Sequence, residues 1–223
     1  EIDLNNQSLT TNFTNELLSK FNNLTILFLK SNNIAVVDLS QMIKLTQIKL
    51  GNNLLSIVDI ALLTELNYLE CHNNQLTNLN TTNSVKLTQI YCYLNNLSVL
   101  DTSALVELNF LACRNNAIQA LNLLSSPKLT YLSCSANQLP ALDLSSCPLL
   151  VTLSTESNLL PSLDLSNCPL LGFVTTQNNQ LDNLVNSQML IDLDGHNLSN
   201  GYFRSSIFGG GTLTTAGTTA KNA

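Results

Sequence analysis

Residues 66–80 read LNYLECHNNQLTNLN, and residues 87–101, which begin 21 positions later, read LTQIYCYLNNLSVLD. The two segments share their apolar positions, a cysteine at the sixth position and an asparagine at the ninth. The same phase extends in both directions, so eight repeats of 21 residues fill residues 24–191 without an insertion. A fixed period of this length is typical of repeat proteins, in which each unit packs only against its neighbours.

Each repeat approximates L-x-x-L-x-C/L-x-x-N-x-L-x-x-L-D-L-S-x-x-x, which is the pattern of a leucine-rich repeat. Side chains alternate along a strand, so positions four and six should point inward, and positions three, five and seven outward into solvent. The pattern predicts an α/β-type solenoid: a leucine-rich repeat horseshoe with a parallel β-sheet on the concave face and short turn or 3-10 segments on the convex face.

The ninth position of every repeat is asparagine, at the point where the chain turns off the strand. We expect the stacked amides to bond backbone groups of neighbouring turns that would otherwise lack a partner. This asparagine ladder consists of Asn32, Asn53, Asn74, Asn95, Asn116, Asn137, Asn158 and Asn179.

The segment before the repeats, residues 1–23, is predicted to form a partial repeat and an N-terminal cap. Ile2 and Leu4 fit the inward strand positions, and the apolar spacing within residues 12–21 is helical. The chain begins at Glu1 without a methionine and shows no signal peptide, so we expect a fragment of a longer protein.

After the repeats, IDLDGHNLS at residues 191–199 repeats the strand motif with His196 in the asparagine place. Residues 192–204 are therefore predicted to hold the last strand motif and a C-terminal cap. Ten parallel strands would make a stack about 45 Å long at about 4.8 Å per strand. Residues 205–223 contain GGGTLTTAGTT and are expected to form a Gly/Thr-rich tail or linker.

Composition excludes several classes of protein. The chain has 48 leucines and 32 asparagines among 223 residues and is 44% hydrophobic, which does not fit a disordered chain. With 9 Lys+Arg against 15 Asp+Glu it lacks the basic surface of a nucleic-acid binder. No apolar run approaches the roughly 18 residues that a membrane-spanning helix needs.

Four of the six cysteines occupy position six in consecutive repeats and form a cysteine ladder: Cys71, Cys92, Cys113 and Cys134. A straight ladder does not converge on a metal ion, and in-register side chains on parallel strands would strain a disulfide. We therefore expect the ladder thiols to be free and to act as small buried hydrophobic groups. Cys147 and Cys168 lie at position nineteen of adjacent repeats, and a bond between them is left open.

The combination of a 21-residue repeat, cysteine at position six and L-D-L-S at positions fourteen to seventeen resembles the cysteine-ladder repeats of the internalin J type, in the bacterial internalin group. The segments at 66–80 and 129–148 carry this resemblance, which covers residues 24–191. It implies a curved solenoid that is secreted or displayed at the bacterial cell surface, and that takes part in adhesion or recognition of a protein or glycan.

The outward strand positions are the best candidate for a binding surface, because four of the five tyrosines fall there. Tyrosine and arginine are enriched in binding hot spots. The predicted ligand-binding residues of the concave face are Tyr68, Glu70, His72, Tyr91, Tyr93, Phe110, Arg114 and Tyr131. The alternative is that aromatic residues favour strands and are covered by their neighbours. Sugar stacking on the tyrosine rings and contact with a protein are equally compatible with this pattern.

Catalytic and metal-binding patterns are weak, so we predict no enzymatic activity and no cofactor. Glu70, His72 and Arg114 are typical of a solvated polar patch rather than of a catalytic triad. An Asp/Asn column at position fifteen could offer carboxylates to calcium, but such residues before a turn usually accept backbone N–H bonds two residues on. That column is Asp38, Asp59, Asn80, Asp101, Asn122, Asp143 and Asp164.

Together these features predict a non-enzymatic extracellular recognition or adhesion module with a protein or glycan ligand, and no nucleic-acid partner or membrane insertion. The alternative function is a structural or assembly subunit of a filament, surface layer or virion, with the solenoid as a spacer. An ice-binding surface needs a regular threonine array, which positions twelve and thirteen lack.

Overall fold

The computed structural model describes residues 1–10, 19–181 and 202–204 of the chain. Ten short strands form one parallel sheet in which each strand pairs with the next along the sequence. The strands are β1 Ile2–Asp3, β2 Ile26–Phe28, β3 Gln47–Lys49, β4 Tyr68–Glu70, β5 Gln89–Tyr91, β6 Phe110–Ala112, β7 Tyr131–Ser133, β8 Thr152–Ser154, β9 Phe173–Thr175 and β10 Tyr202–Arg204.

The register of β2–β9 follows the 21-residue period. Ile26 pairs with Gln47, Gln47 with Tyr68, and the same step recurs to Phe173 in β9. Equivalent residues of successive repeats therefore lie side by side in the sheet, and each position of the repeat becomes a straight column. The prediction of a leucine-rich repeat solenoid with a parallel sheet is confirmed.

Inward columns form one continuous hydrophobic core. Leu27, Ile48 and Leu69 at position four have no exposed surface, and the leucines that begin the repeats from Leu45 onward are equally buried. Ile2 and Leu4 of the partial first repeat are partly buried against this core, as predicted. Neighbouring repeats share the cluster because a single repeat cannot enclose its own apolar face.

The return side of each repeat consists of tight turns. Hydrogen bonds such as Met42 N to Leu39 O (2.9 Å) and Leu45 N to Met42 O (3.0 Å) close two successive turns, and later repeats contain the same pair. Within the described residues, helical structure is limited to one 3-10 helix, Ser19–Phe21, which precedes the repeats. The turns thus match the prediction, whereas 3-10 segments within the repeats and the horseshoe curvature stay predictions.

The tenth strand differs from the one that the repeat predicts. The place beside β9 is taken by β10, Tyr202–Arg204, which begins 29 residues after Phe173 instead of 21. In the described residues the strand beside β9 is thus formed by residues 202–204, where the repeat pattern leads us to expect the motif at 191–199. Three predicted segments lie outside the described residues: the motif with His196, the helical segment before residue 19 and the tail at 205–223. Their roles as caps or linker stay predictions.

The asparagine ladder makes the predicted backbone bonds. Nδ2 of Asn95 donates to the carbonyl oxygens of Cys71 (3.1 Å) and Cys92 (3.0 Å), and its Oδ1 accepts the N–H of Leu76 (3.0 Å). From Asn53 onward the six other residues of the ladder make the equivalent bonds to their own repeat and to the preceding one. Each amide therefore closes its own turn and fastens it to the repeat before it.

The residue before each ladder asparagine has a left-handed backbone. From Ser31 to Asn178 the φ angles of this column lie between 51° and 58°. Asparagine tolerates this conformation better than most residues do, and four of the eight positions carry it. Leu94 and Ala136 adopt the same φ without that advantage, which shows that the repeat geometry outweighs local preference.

No helix within the described residues is both long and apolar enough to cross a lipid bilayer.

Asn95→Ala should lower the free energy of unfolding by about 1–3 kcal/mol, because it leaves the buried Leu76 N–H without a partner and removes one of the two bonds that each of the Cys71 and Cys92 carbonyl oxygens accepts. Urea unfolding of the variant measures this loss. The matched control is Asn96→Ala: Asn96 is the next residue and has an exposed side chain, so its replacement should change stability by less than about 0.5 kcal/mol. Equal losses in both variants would contradict the role of the ladder.

Candidate functional site

All eight predicted ligand-binding residues lie on the outward face of the sheet, in or just after β4–β7. We call this surface the strand face. Contacts join the eight residues into one network, because Tyr68 bonds Glu70, Glu70 bonds His72, and ring contacts continue from Tyr68 and His72 across the neighbouring strands. The 21-residue register produces this cluster by placing positions three, five and seven of successive repeats side by side.

Four rings form an aromatic row across the strands: Tyr68, Tyr91, Phe110 and Tyr131. The centroids of Tyr91 and Phe110 are 4.6 Å apart, and those of Phe110 and Tyr131 are 4.2 Å apart with ring planes only 2° from parallel. Tyr68 joins the row at 5.5 Å from Tyr91 with a tilt of 38°. These separations are close to the spacing between strands, so the rings stand on edge, about one per strand.

A second row runs parallel to the aromatic row at position seven. The imidazole of His72 stacks on Tyr93 at 4.3 Å, with ring planes 4° from parallel. The Arg114 guanidinium lies over the Tyr93 ring at 4.5 Å from its centroid. Tyr93 is thus enclosed between an imidazole and a cation, and the exposed Arg114 ends the row.

Glu70 connects the two rows through a buried network. Its Oε1 accepts bonds from Lys30 Nζ (2.6 Å) and lies 2.8 Å from His72 Nε2, and its Oε2 accepts the hydroxyl of Tyr68 (3.3 Å). Burial raises the pKa of the carboxyl, but hydrogen bonds from His72 and Lys30 and the Lys30 charge outweigh it and lower the pKa to about 2. Burial and the Glu70 charge raise the pKa of Tyr68 well above its usual value, so its hydroxyl stays protonated.

Gly51 makes room for this network. A β-carbon at position 51 would lie 2.6 Å from Nε2 of His72, which is too close for any other residue. Each of the other seven repeats carries a side chain at position seven, and the absence of one at Gly51 lets the imidazole of His72 lie against the backbone there.

The prediction that Glu70 and His72 face solvent as a polar patch was wrong. Their exposed fractions are only 6% and 5%, because Lys30, Tyr68 and Tyr93 cover them. The rings of the aromatic row are half-buried, since each covers its neighbour. Sequence reasoning also missed Lys30, although the repeat register places it in the His72 column two repeats earlier.

Lys49 is a further member that the sequence did not single out. Its ammonium lies 4.3 Å from the ring centroid of Phe28 and 5.7 Å from that of Tyr68. The lysine therefore extends the aromatic row by a cation at its N-terminal end. The signal that could have found it is its place at position five, between two aromatic residues of adjacent repeats.

The Asp/Asn column at position fifteen makes the turn bonds that the structural interpretation predicts. Asp38 Oδ1 accepts the N–H of Ser40 at 3.0 Å, and the six other members accept the N–H two residues on in the same way. Hydrogen bonds from the serine side chain and backbone lower the pKa of Asp38, Asp101 and Asp164. In the described part of the chain, no three His, Cys, Asp or Glu side chains are grouped to hold a metal ion.

All six cysteines are free and buried, so Cys147 and Cys168 are not bonded to each other. Burial raises the pKa of the ladder thiols Cys71 and Cys113 to about 12, and those of Cys92 and Cys134 lie well above the usual value for the same reason. The ladder thiols therefore act as small hydrophobic groups of the core, as predicted.

Glu70→Gln should lower the free energy of unfolding at pH 7 by about 2–3 kcal/mol, because it removes the charge that Lys30 and His72 bond. The folded pKa is depressed, so this stabilisation is present above the unfolded pKa of about 4.3 and is lost as the pH falls through about 2. Urea unfolding of both proteins at a series of pH values measures the difference.

The control for this pH series is Glu65→Gln. Glu65 forms an exposed pair with Lys86 at 2.6 Å, and such pairs contribute less than about 1 kcal/mol. If the free energies of unfolding of the wild type and Glu70→Gln differ by the same amount at pH 7 and at pH 2, the carboxylate charge is not the source of the stabilisation.

No protein-family model matches the sequence, and a search of curated proteins finds no match. Solved structures do match. The functional domain of InlJ from Listeria monocytogenes, which includes a cysteine ladder, is 27% identical with a TM-score of 0.52 over 92% of this chain. An internalin (InlF) from the same species is 21% identical with a TM-score of 0.70 over 94% of this chain.

A third match is the leucine-rich repeat ectodomain of the plant receptor kinase GASSHO1/SCHENGEN3 from Arabidopsis thaliana, solved with Casparian strip integrity factor 2. It is 25% identical with a TM-score of 0.69 over 77% of this chain and 23% of its own. The chain spans 53% of the InlJ structure and 59% of the InlF structure. The protein is thus a leucine-rich repeat solenoid that resembles the cysteine-ladder domain of InlJ.

Proposed function

We propose that this solenoid is a non-enzymatic extracellular recognition module that binds its ligand on the strand face. The observation that carries the proposal is the connected surface of tyrosine, phenylalanine and arginine across β4–β7. Binding hot spots are enriched in aromatic residues and arginine, and this surface combines half-buried aromatic rings with an arginine. Their positions are held by stacking before any ligand arrives, which reduces the entropy lost on binding.

The similar structures support recognition rather than catalysis. The plant ectodomain, which is also built of leucine-rich repeats, was solved in complex with Casparian strip integrity factor 2. Both oxygens of Glu70 are engaged by neighbouring side chains, so its carboxylate is closed off from a role as a general base. The similarity to InlJ of Listeria monocytogenes supports placing the protein at a bacterial cell surface or in the secreted fraction.

The test compares Tyr91→Ala and Arg114→Ala with the wild type for binding to a panel of extracellular protein domains and a glycan array. Each substitution should weaken binding at least about tenfold, because it removes a central ring or the cation that ends the second row. Thermal unfolding establishes that the variants are folded.

The control variants are Thr77→Ala and Lys86→Ala, which change exposed residues away from the strand face. They should leave binding unchanged. A ligand that binds the wild type, Tyr91→Ala and Arg114→Ala with equal affinity would place the binding site elsewhere on the solenoid.

A structural or assembly role is the second candidate, and exposed apolar residues away from the strand face favour it. Position thirteen carries Val36, Ile57 and Val99, whose exposed fractions are 48%, 71% and 61%. Val36 and Ile57 are neighbours in this column, whereas Asn78 separates Ile57 from Val99. Neighbouring exposed apolar side chains favour contacts between protein chains. The solenoid would then act as a spacer, with contacts made by its return side or its ends.

Size-exclusion chromatography with light scattering separates the two candidates. A recognition module that acts alone should elute as a monomer over an about hundredfold range of concentration. The apparent molar mass of an assembly subunit should increase with concentration. The double variant Ile57→Ser, Val99→Ser should abolish that increase, whereas the Tyr91→Ala variant should not.

A further inference from the structure

The aromatic rings of the strand face present their edges rather than their faces. Phe110 lies between Tyr91 and Tyr131, at 4.6 Å and 4.2 Å, so both of its faces are covered. Tyr93 is covered by His72 on one side and by the Arg114 guanidinium on the other. A sugar ring binds tyrosine by lying against an open aromatic face, and these inner rings have none to offer. The stacking therefore disfavours a glycan on the centre of the strand face.

Ring edges and cations together give this surface a positive character. The hydrogens at an aromatic edge carry the positive part of the ring quadrupole and attract oxygen atoms. Lys49 and Arg114 contribute full charges, and neither forms an ion pair with a carboxylate in the described residues. Among the outward strand positions of residues 45–149 the one carboxylate is Glu70, which Lys30 and His72 already engage. This positive surface belongs to a chain whose net charge is −6.

The two free cations lie a defined distance apart. Lys49 is in register with Glu70, Tyr91 and Ala112, and Arg114 follows two residues after Ala112. Three strand spacings, about 14 Å, separate them across the sheet, and the offset of two residues adds about 7 Å along the strands, so their Cα atoms lie about 16 Å apart. An extended peptide advances about 3.4 Å per residue, so four residues span about 14 Å and the reach of the side chains covers the remainder, and side chains four apart point to the same side. The side chain midway between them would contact the edges of Tyr91 and Tyr93.

We propose that the strand face binds an extended acidic segment of a partner protein, laid across the strands. Two carboxylates four residues apart pair with Lys49 and Arg114, and an apolar side chain between them rests on the ring edges. This inference rests on the proposed function and specifies its partner. The charge complementarity fixes the chemistry of the segment, and the strand spacing fixes its pattern.

The experiment screens the full chain against a phage-displayed library of random seven-residue peptides and, in parallel, against a glycan array. Selected peptides should carry Asp or Glu four residues apart with an apolar residue midway. One selected peptide is then synthesised, together with its twin in which both carboxylates become amides. The acidic peptide should bind, and its affinity should fall as sodium chloride screens the ion pairs.

Charge variants assign the contacts. Lys49→Gln and Arg114→Gln should each weaken binding of the acidic peptide about fivefold, the usual upper range for an exposed ion pair. The matched controls Lys86→Gln and Lys128→Gln remove the same charge from exposed positions on the return side and should have no effect. The twin with amides should bind the wild type and the Lys49→Gln variant equally.

The outcomes separate this inference from the proposed function. The acidic segment would be overturned if the selected peptides lack paired carboxylates, or if the charge variants bind the peptide as tightly as the wild type does. If Tyr91→Ala still weakens binding in that case, the strand face remains the binding site. Glycan binding that depends on Tyr91 would overturn the acidic segment in favour of a sugar ligand. The absence of binding to either library would overturn both the inference and the recognition function.

Discussion

The side-chain amide of one asparagine per repeat is the interaction on which the rest of the structure depends. Where each strand ends, the backbone turns inward and its polar groups leave the sheet. The Asn95 amide supplies donors to carbonyl oxygens in two repeats and an acceptor for one N–H. Buried backbone groups without partners would each cost about 1–3 kcal/mol, so a turn this tight could not otherwise be buried in a stack of leucines.

Because inward columns and amides hold the solenoid, the outward columns are free to vary. Positions three, five and seven carry rings, cations, small residues or a glycine without disturbing the register of the sheet. The rings then stack because parallel in-register strands place them one strand spacing apart. The same periodicity that stabilises the core thus orders the strand face, and Gly51 shows that even the absence of a side chain can have a local purpose there.

The features that recur in every repeat could be predicted from the sequence, whereas the contacts that occur at only one position could not. The columns, the asparagine bonds and the turn bonds of Asp38 and its equivalents follow from phase alone. The burial of Glu70 and His72 does not, because it depends on Lys30 two repeats away, on Gly51 and on the Tyr93 ring. The tenth strand likewise breaks the period, since β10 begins 29 residues after the first residue of β9. A repeat pattern predicts only strands that keep its period, so it could not place this one.

The cysteines have a consequence for where such a chain can fold. Six thiols in a secreted protein usually mean that folding waits for an oxidant, because disulfides supply stability that a small core lacks. Here all six are buried and protonated, and burial holds even the pKa of Cys147 at about 11. The solenoid thus needs no electron acceptor to reach its folded state, and reducing and oxidising surroundings should give the same structure.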